Sequence, residues 1–248
     1  MKHLKMLVRT LLDFIYPPHC VVCEAYIDGG TERVVCPACW GRVGVILSPQ
    51  CGRCGQITEK PTGICPACER RGHSFSRVRR AALFEGVVQD LIHLMKYQGK
   101  RSIARHLGAI LADNLRDDST VGQIDLLIPV PLHPSRERER GYNQSALIAR
   151  AVGGGLGLPV GERLLQRVRN TRTQTQLNAL DRAVNVAGAF RVRNPESVVG
   201  RSLALIDDVM TTGATADACA SALIAAGASE IALFVIASPV HQNFQDST

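Results

Sequence analysis

Two groups of side chains in this 248-residue sequence have the types and spacing for chemistry. The first is a cysteine array. Eight of the nine cysteines form four C-x-x-C pairs: Cys20/Cys23, Cys36/Cys39, Cys51/Cys54 and Cys65/Cys68. A C-x-x-C knuckle aims two thiolates at one point, and two knuckles make a tetrahedral sulfur cage that suits Zn²⁺. The second group is Asp207-Asp208-Val-Met-Thr211-Thr212-Gly213-Ala214-Thr215, which follows the apolar run Leu203–Ile206. A buried strand there delivers two adjacent acids to its tip, and a hydroxyl-rich turn with glycine opens a helix. Backbone N–H groups at a helix start, with threonine hydroxyls, make a cradle for a phosphate. Paired carboxylates can accept hydrogen bonds from two neighbouring hydroxyls, as on a ribose, and can help hold Mg²⁺.

Each group has a plainer reading. The cysteines would form a disulfide scaffold in an oxidising compartment, but no secretory signal is visible. An iron–sulfur cluster usually shows a different cysteine spacing. We read structural zinc, one ion or two. Sequential pairing gives Cys20, Cys23, Cys36, Cys39 and Cys51, Cys54, Cys65, Cys68; the spacing leaves a cross-braced pairing open. Four sulfurs close each site, so the metal is structural rather than catalytic, and it would supply the folding energy of a segment with little apolar area. For the loop, a simple N-cap explains one threonine but not two acids, three threonines and a glycine together. The chain has neither a Walker A sequence nor G-x-G-x-x-G, which disfavours an ATPase or a Rossmann dehydrogenase.

The elements that must position these groups alternate from Phe75 onward. Strands are expected at Ala81–Phe84, Ile124–Val130, Leu203–Asp207 and Glu230–Ala237. Helices are expected at Val87–Tyr97, Ser102–Leu115, Gln144–Leu156 and Ala214–Ala226. Apolar strands separated by helices predict an α/β fold with a mostly parallel sheet covered on both faces. Ligands of such sheets bind beyond the carboxyl ends of the strands. The loop after Ile124–Val130 is a second such tip and carries Arg136, Arg138 and Arg140, interleaved with Glu137 and Glu139. Asn143 reads as a helix cap, His133 as structural, Cys219 as a packed core thiol, and His19 and His73 as surface residues.

These residues resemble a family. Ile206–Thr215 looks like the phosphoribosyl pyrophosphate (PRPP) loop of type I phosphoribosyltransferases. The cysteine array with Trp40, Leu91–Tyr97, Pro129–Arg136, Arg140–Gln144, Arg167–Thr171, Gln174, Leu177, Arg182, Asn185 and Ala189-Phe190 are similar to the ComF family of bacterial competence and DNA-uptake proteins. The resemblance implies a type I phosphoribosyltransferase-like sheet with a small N-terminal zinc-ribbon module. It implies that Asp207, Asp208, Thr211, Thr212, Gly213, Ala214 and Thr215 bind Mg-PRPP, with Arg136, Arg140 and Lys96 on the diphosphate and Arg138 left on the surface. It makes Arg167–Arg182 a hood loop over the ligand. Purine transferases place an aspartate immediately before the T-G of the loop; here that residue is Thr211, so no catalytic base is assigned and the acceptor is open. The alternative reading is a non-catalytic PRPP or nucleotide sensor that binds single-stranded DNA beside a competence helicase.

The net charge of +7 has a location. Nine arginines against four carboxylates between Arg136 and Arg182 leave +5 there, suited to diphosphate or to a nucleic-acid backbone. Aromatic residues are only 4% of the chain, which argues against a base-stacking platform. Met1–Tyr16 carries apolar residues at helical spacing and lacks a cleavage site, so it reads as an amphipathic helix; no run reaches the ~20 residues of a membrane span. The expected organisation is a helix at 1–17, a double zinc ribbon at 18–74, a phosphoribosyltransferase-like domain at 75–240 and a tail at 241–248, in the reducing cytoplasm.

Overall fold

The computed structural model describes residues 17–27, 34–46, 49–58, 64–65, 68, 73–170, 186 and 188–239. The expected N-terminal helix, the tail and most of the Arg167–Arg182 hood lie outside these residues.

In chain order the elements are α1 (Pro37–Gly41), β1 (Arg77–Leu83), α2 (Gly86–Tyr97), α3 (Ser102–Leu115), β2 (Leu126–Pro129), α4 (Pro134–Arg140), α5 (Gln144–Leu156), β3 (Leu165–Arg167), β4 (Phe190–Val192), β5 (Ser202–Val209), α6 (Ala214–Ala225) and β6 (Glu230–Ser238). Four strands form a wholly parallel sheet in the order β1-β6-β5-β2, and β3 and β4 make a separate antiparallel pair.

The central strands are apolar on both sides because both faces are covered. Alternate residues divide the core. Ala204 and Ile206 of β5, with Ala232, Phe234 and Ile236 of β6, pack among residues of α2, α3 and α5. Leu203 and Leu205, with Ile231, Leu233 and Val235, pack with α6 and the β3–β4 pair. On the first face α3 and α5 touch backbone to backbone. A Cβ on Gly108 would sit 2.6 Å from the Cβ of Ala151, and one on Gly155 2.7 Å from that of Ala112. Glycines inside helices lower helix propensity; here they permit close packing.

This wiring places the site. The chain leaves the carboxyl end of β2 toward α5 on one face and that of β5 toward α6 on the other. β2 and β5 are neighbours, with Pro129 opposite Ile206. Two adjacent parallel strands whose connections depart to opposite faces leave a crevice between their tips.

The cysteine-rich segment leans on the sheet in two ways. Cys20, Cys36, Cys39, Ile27 and Val43 join the core on the α2/α3 side, and Trp40 stacks on His106 of α3 at 5.0 Å. Val45 and Ile46, and then Gln50 and Gly52, lie along the outer edge of β1. The Ile46 N–H donates to the Ala81 carbonyl at 2.7 Å, and the Val78 N–H donates to the Gly52 carbonyl at 3.2 Å. The Gln50 side chain donates to the Arg80 carbonyl (3.0 Å) and accepts from the Arg80 N–H (3.2 Å). An open strand edge is thereby covered.

Two short features depart from the sequence reading. The arginine-bearing segment after β2 is a helix, α4. The His133 ring accepts from the Ser135 N–H, Pro134 occupies the first turn, and Gly141 closes the end at φ 80°. Pro at the start and a left-handed Gly at the end are helix signals that the mixed charge obscured. Arg167, expected in the hood, ends β3 and is buried.

Candidate functional site

The cysteines resolve into two sequential cages: Cys20, Cys23, Cys36 and Cys39, and Cys51, Cys54, Cys65 and Cys68. Within each, all four sulfurs lie within 4.8 Å of one another. The donor set fits a tetrahedral thiophilic cation. The Cys36 N–H points at Cys20 Sγ (3.4 Å), and in the second cage the Cys65 N–H points at Cys51 Sγ (3.3 Å). Burial opposes ionisation of Cys20, yet backbone N–H donors from Cys36, Cys23 and Val22 bring it down to about 6. Cys51 reaches about 7 in the same way. Burial and the crowding of neighbouring sulfurs push Cys39 up to about 12. Burial, with the charge on Cys51, does the same to Cys54. Thiols packed this closely become thiolates together only around a cation, and the repeated spacing implies the same ion twice: structural zinc.

The crevice between β2 and β5 holds the second group. Asp207, Asp208, Thr211, Thr212, Gly213, Ala214 and Thr215 line one cavity, joined by Lys96 and Arg136. Asp207 and Asp208 end the buried strand β5. The Asp207 carboxylate accepts from Ser145 Oγ at 2.8 Å and from the Asp208 N–H at 2.9 Å. Its enclosed position and the charge of Asp208 push its carboxyl up to about 7. Asp208 is 3% exposed and lies 2.7 Å from Lys96 Nζ, which reaches in from the end of α2. Burial works against the Lys96 charge, but Asp208 and Asp207 raise its pKa above the usual value.

Gly213 caps α6 at φ 79° with no side-chain cap of its own; the Ala214 N–H leans on Thr212 Oγ1 at 3.5 Å. A side chain at this φ would be strained, so glycine keeps the helix start open. The same cavity is lined by Arg136, from α4, and Arg167, from β3. Burial and the nearby Arg136 charge pull the Arg167 guanidinium below its ordinary value. Two cations lining one cavity are relieved by an anion between them.

Arg140 is displaced from this group. It lines an adjoining cavity with Tyr97, Gly99 and Glu139, and Lys96 and Arg136 are the shared wall. It donates to the Gln144 side chain and lies 5.8 Å from the Tyr97 ring centre. Arg138 is exposed. Asn143 caps α5 by accepting from the Ser145 N–H at 3.0 Å, and Cys219 is wholly buried. His73 is not a simple surface residue: it stacks on Phe75 at 4.6 Å and faces Asp217 at 3.6 Å. Sequence reasoning missed Ser145, which no motif marks, and placed Arg167 in the wrong kind of element.

Known proteins resemble the chain at both ends of this description. Residues 11–72 match the double zinc ribbon domain family. Competence protein F of Haemophilus influenzae is 32% identical over 193 residues, covering 76% of this chain and 84% of the relative. The DNA utilization protein YhgH of Escherichia coli K12 is 31% identical, covering 79% and 85%. Competence protein ComFC of Bacillus subtilis is 26% identical, covering 79% and 80%. A solved glutamine PRPP amidotransferase of B. subtilis is 21% identical over 55% of this chain and 26% of that one, with a TM-score of 0.38. Among the described residues no helix is long and apolar enough to cross a membrane. With two four-cysteine cages preceding a parallel sheet, and relatives matched across most of both lengths, the chain belongs to the family of competence protein F and the DNA utilization protein YhgH.

Proposed function

We propose that the chain binds Mg-PRPP in the crevice between β2 and β5 and acts in bacterial competence or DNA utilisation, as its relatives' names describe them. The observation that supports this most is the charge gathered in one cavity: the Asp207/Asp208 pair, the cations Arg136 and Arg167, and the start of α6 all line it. Vicinal ribose hydroxyls meet the carboxylates. The 5-phosphate meets the Thr211–Thr215 turn, where N–H groups of a helix start favour an anion. The diphosphate meets Arg136 and Lys96, and Arg140 where it extends into the adjoining cavity. Mg²⁺ arrives with the ligand and offsets the diphosphate charge. What the chain itself supplies is orientation and charge stabilisation.

Thr211 cannot take a proton as an aspartate would, so the site as built favours binding over deprotonation of a purine acceptor. Calorimetric titration tests the ligand. Mg-PRPP is expected to bind, and ribose 5-phosphate, which lacks the diphosphate, at least tenfold more weakly. Equal affinity for both, or no binding, contradicts the reading.

A second reading rests on Arg138 and Arg163, which are exposed and outside the ligand cavity. These arginines suit the backbone of single-stranded DNA. Replacing both with alanine is expected to flatten the salt dependence of DNA binding by about two phosphate contacts.

A further inference from the structure

The described contacts between the cysteine-rich segment and the ligand loop run through one short stretch. His73, Ser74 and Phe75 follow Cys68, the last ligand of the second cage, by five to seven positions. They lie against the first turns of α6, directly behind the loop. The Ser74 N–H donates to Asp217 Oδ1 at 2.6 Å, and Ser74 Oγ shares a hydrogen bond with Ser221 Oγ at 2.7 Å. The His73 ring faces the same Asp217 carboxylate at 3.6 Å. A Cβ built on Gly213 would meet Phe75 Cζ at 3.5 Å and His73 Cε1 at 3.7 Å, so these two stacked rings form the floor beneath the loop's glycine. Asp217 closes the first turn of α6 through its own N–H to the Gly213 carbonyl, at 2.8 Å. One residue therefore ties the ribbon's exit to the helix start that shapes the loop.

A second route joins the same cage to the sheet. Gly52, inside the Cys51/Cys54 knuckle, accepts from Val78 of β1, and Val78 packs within the same core cluster as Phe75 and Ala216. The Arg53 guanidinium donates to the Cys68 carbonyl at 3.1 Å, fastening the knuckle to the last ligand. The first cage is placed differently. Its cysteines join the core on the α2/α3 side, and its Trp40 stacks on α3, on the face of the sheet away from α6.

We infer that His73, Ser74 and Asp217 are positioning residues through which metal at the second cage, but not the first, sets the affinity of the Thr211–Thr215 loop for its ligand. The inference rests on the PRPP reading and adds regulation of that site. Its physical basis is shared structure. With the second cage metal-free, Cys68 and the Gly52–Val78 contact are no longer held in place, the floor under Gly213 loosens, and the ligand must then supply the ordering itself. Linkage makes the effect reciprocal: ligand at the loop must tighten metal at the second cage by the same factor.

That reciprocity is the test. The full chain loaded with zinc is titrated with a chelating dye, with and without saturating Mg-PRPP, while PRPP binding is measured separately by calorimetry. One of the two zinc affinities is expected to rise roughly tenfold with PRPP, within the usual range of coupling between sites, and the other to stay unchanged. Cys23→Ser, which weakens the first cage, identifies the unresponsive site. Asp217→Ala is expected to abolish the rise while both zinc ions remain bound. Asp217→Asn, whose amide oxygen still accepts from the Ser74 N–H, is expected to restore it. If PRPP binds and neither zinc affinity moves, or both move equally, the coupling is wrong and the ligand site stands. If Asp217→Asn behaves like Asp217→Ala, the Ser74 contact is not the carrier and the assignment falls. Absence of PRPP binding by calorimetry overturns the ligand reading itself, and this inference with it.

Discussion

The two regions of this protein hold their shape by different means. The sheet region buries apolar stretches of its central strands: every residue of β5 from Leu203 to Ile206, and Ile231 to Ala237 of β6, is at most 2% exposed. Among the described residues, the second cage makes a separate cluster whose buried members are Cys51, Cys65 and Cys68. Burial of alkyl groups stabilises many positions a little, whereas metal binding concentrates stabilisation in four atoms. The sheet therefore tolerates a lost methyl group anywhere better than the ribbon tolerates a lost sulfur. The cavity between β2 and β5 lies where the robust region ends in polar groups, at strand tips.

The largest effect that bears on this contrast is metal removal. Structural zinc contributes on the order of 10 kcal/mol to small metal-folded segments. Chelation, or Cys51→Ser, is expected to unfold the second cage while the helical circular dichroism of the sheet region persists. It also uncovers the outer edge of β1, so the stripped protein is expected to self-associate, which light scattering reads. Loss of the whole fold on chelation would break the contrast. The next effect is in the core. Leu205→Ala, at a fully buried position facing α6, is expected to lower unfolding stability by about 2–5 kcal/mol in a denaturant titration, with zinc content unchanged.

A smaller effect sharpens the site. With Asp207 raised to about 7, its carboxyl is protonated below that pH and ionised above it. A ribose hydroxyl needs the ionised acceptor, so PRPP affinity is expected to rise roughly tenfold from pH 6 to pH 8, one proton being worth up to tenfold per unit. Asp207→Asn is expected to flatten the profile. A profile in wild type that rises toward low pH would mean the neutral acid is the binding form.

Much of this was readable from residue order. Ser102–Leu115 and Gln144–Leu156 fall where periodicity puts them, because an apolar stripe over thirteen or fourteen residues has no strand alternative. The four expected strands appear as the four strands of the parallel sheet. β1 starts earlier than its apolar run because Arg77, Arg79 and Arg80 disguise it. Arg80 is 1% exposed and hydrogen-bonded to Ser238 and Gln56, partners far away in sequence. β3 and β4, three residues each, are too short for any period to show, and that is why Arg167 went unrecognised as a cavity wall. The acid pair and the glycine turn were plain because they are contiguous. Ser145 was not, because its partner Asp207 is 62 residues away. Local chemistry is written in motifs; support for it is assembled by the fold.

The central claim is that the Asp207/Asp208 cavity binds PRPP. The most direct measurement is equilibrium binding of Mg-PRPP to the zinc-loaded wild type and to the Asp207→Ala/Asp208→Ala double variant, with circular dichroism confirming that both are folded. The account predicts binding by wild type and a loss of about a hundredfold or more in the variant, the removal of two charge-assisted hydrogen-bond acceptors at ~1.5–3 kcal/mol each. Undiminished affinity in a folded double variant, or a wild type that does not bind, would contradict it.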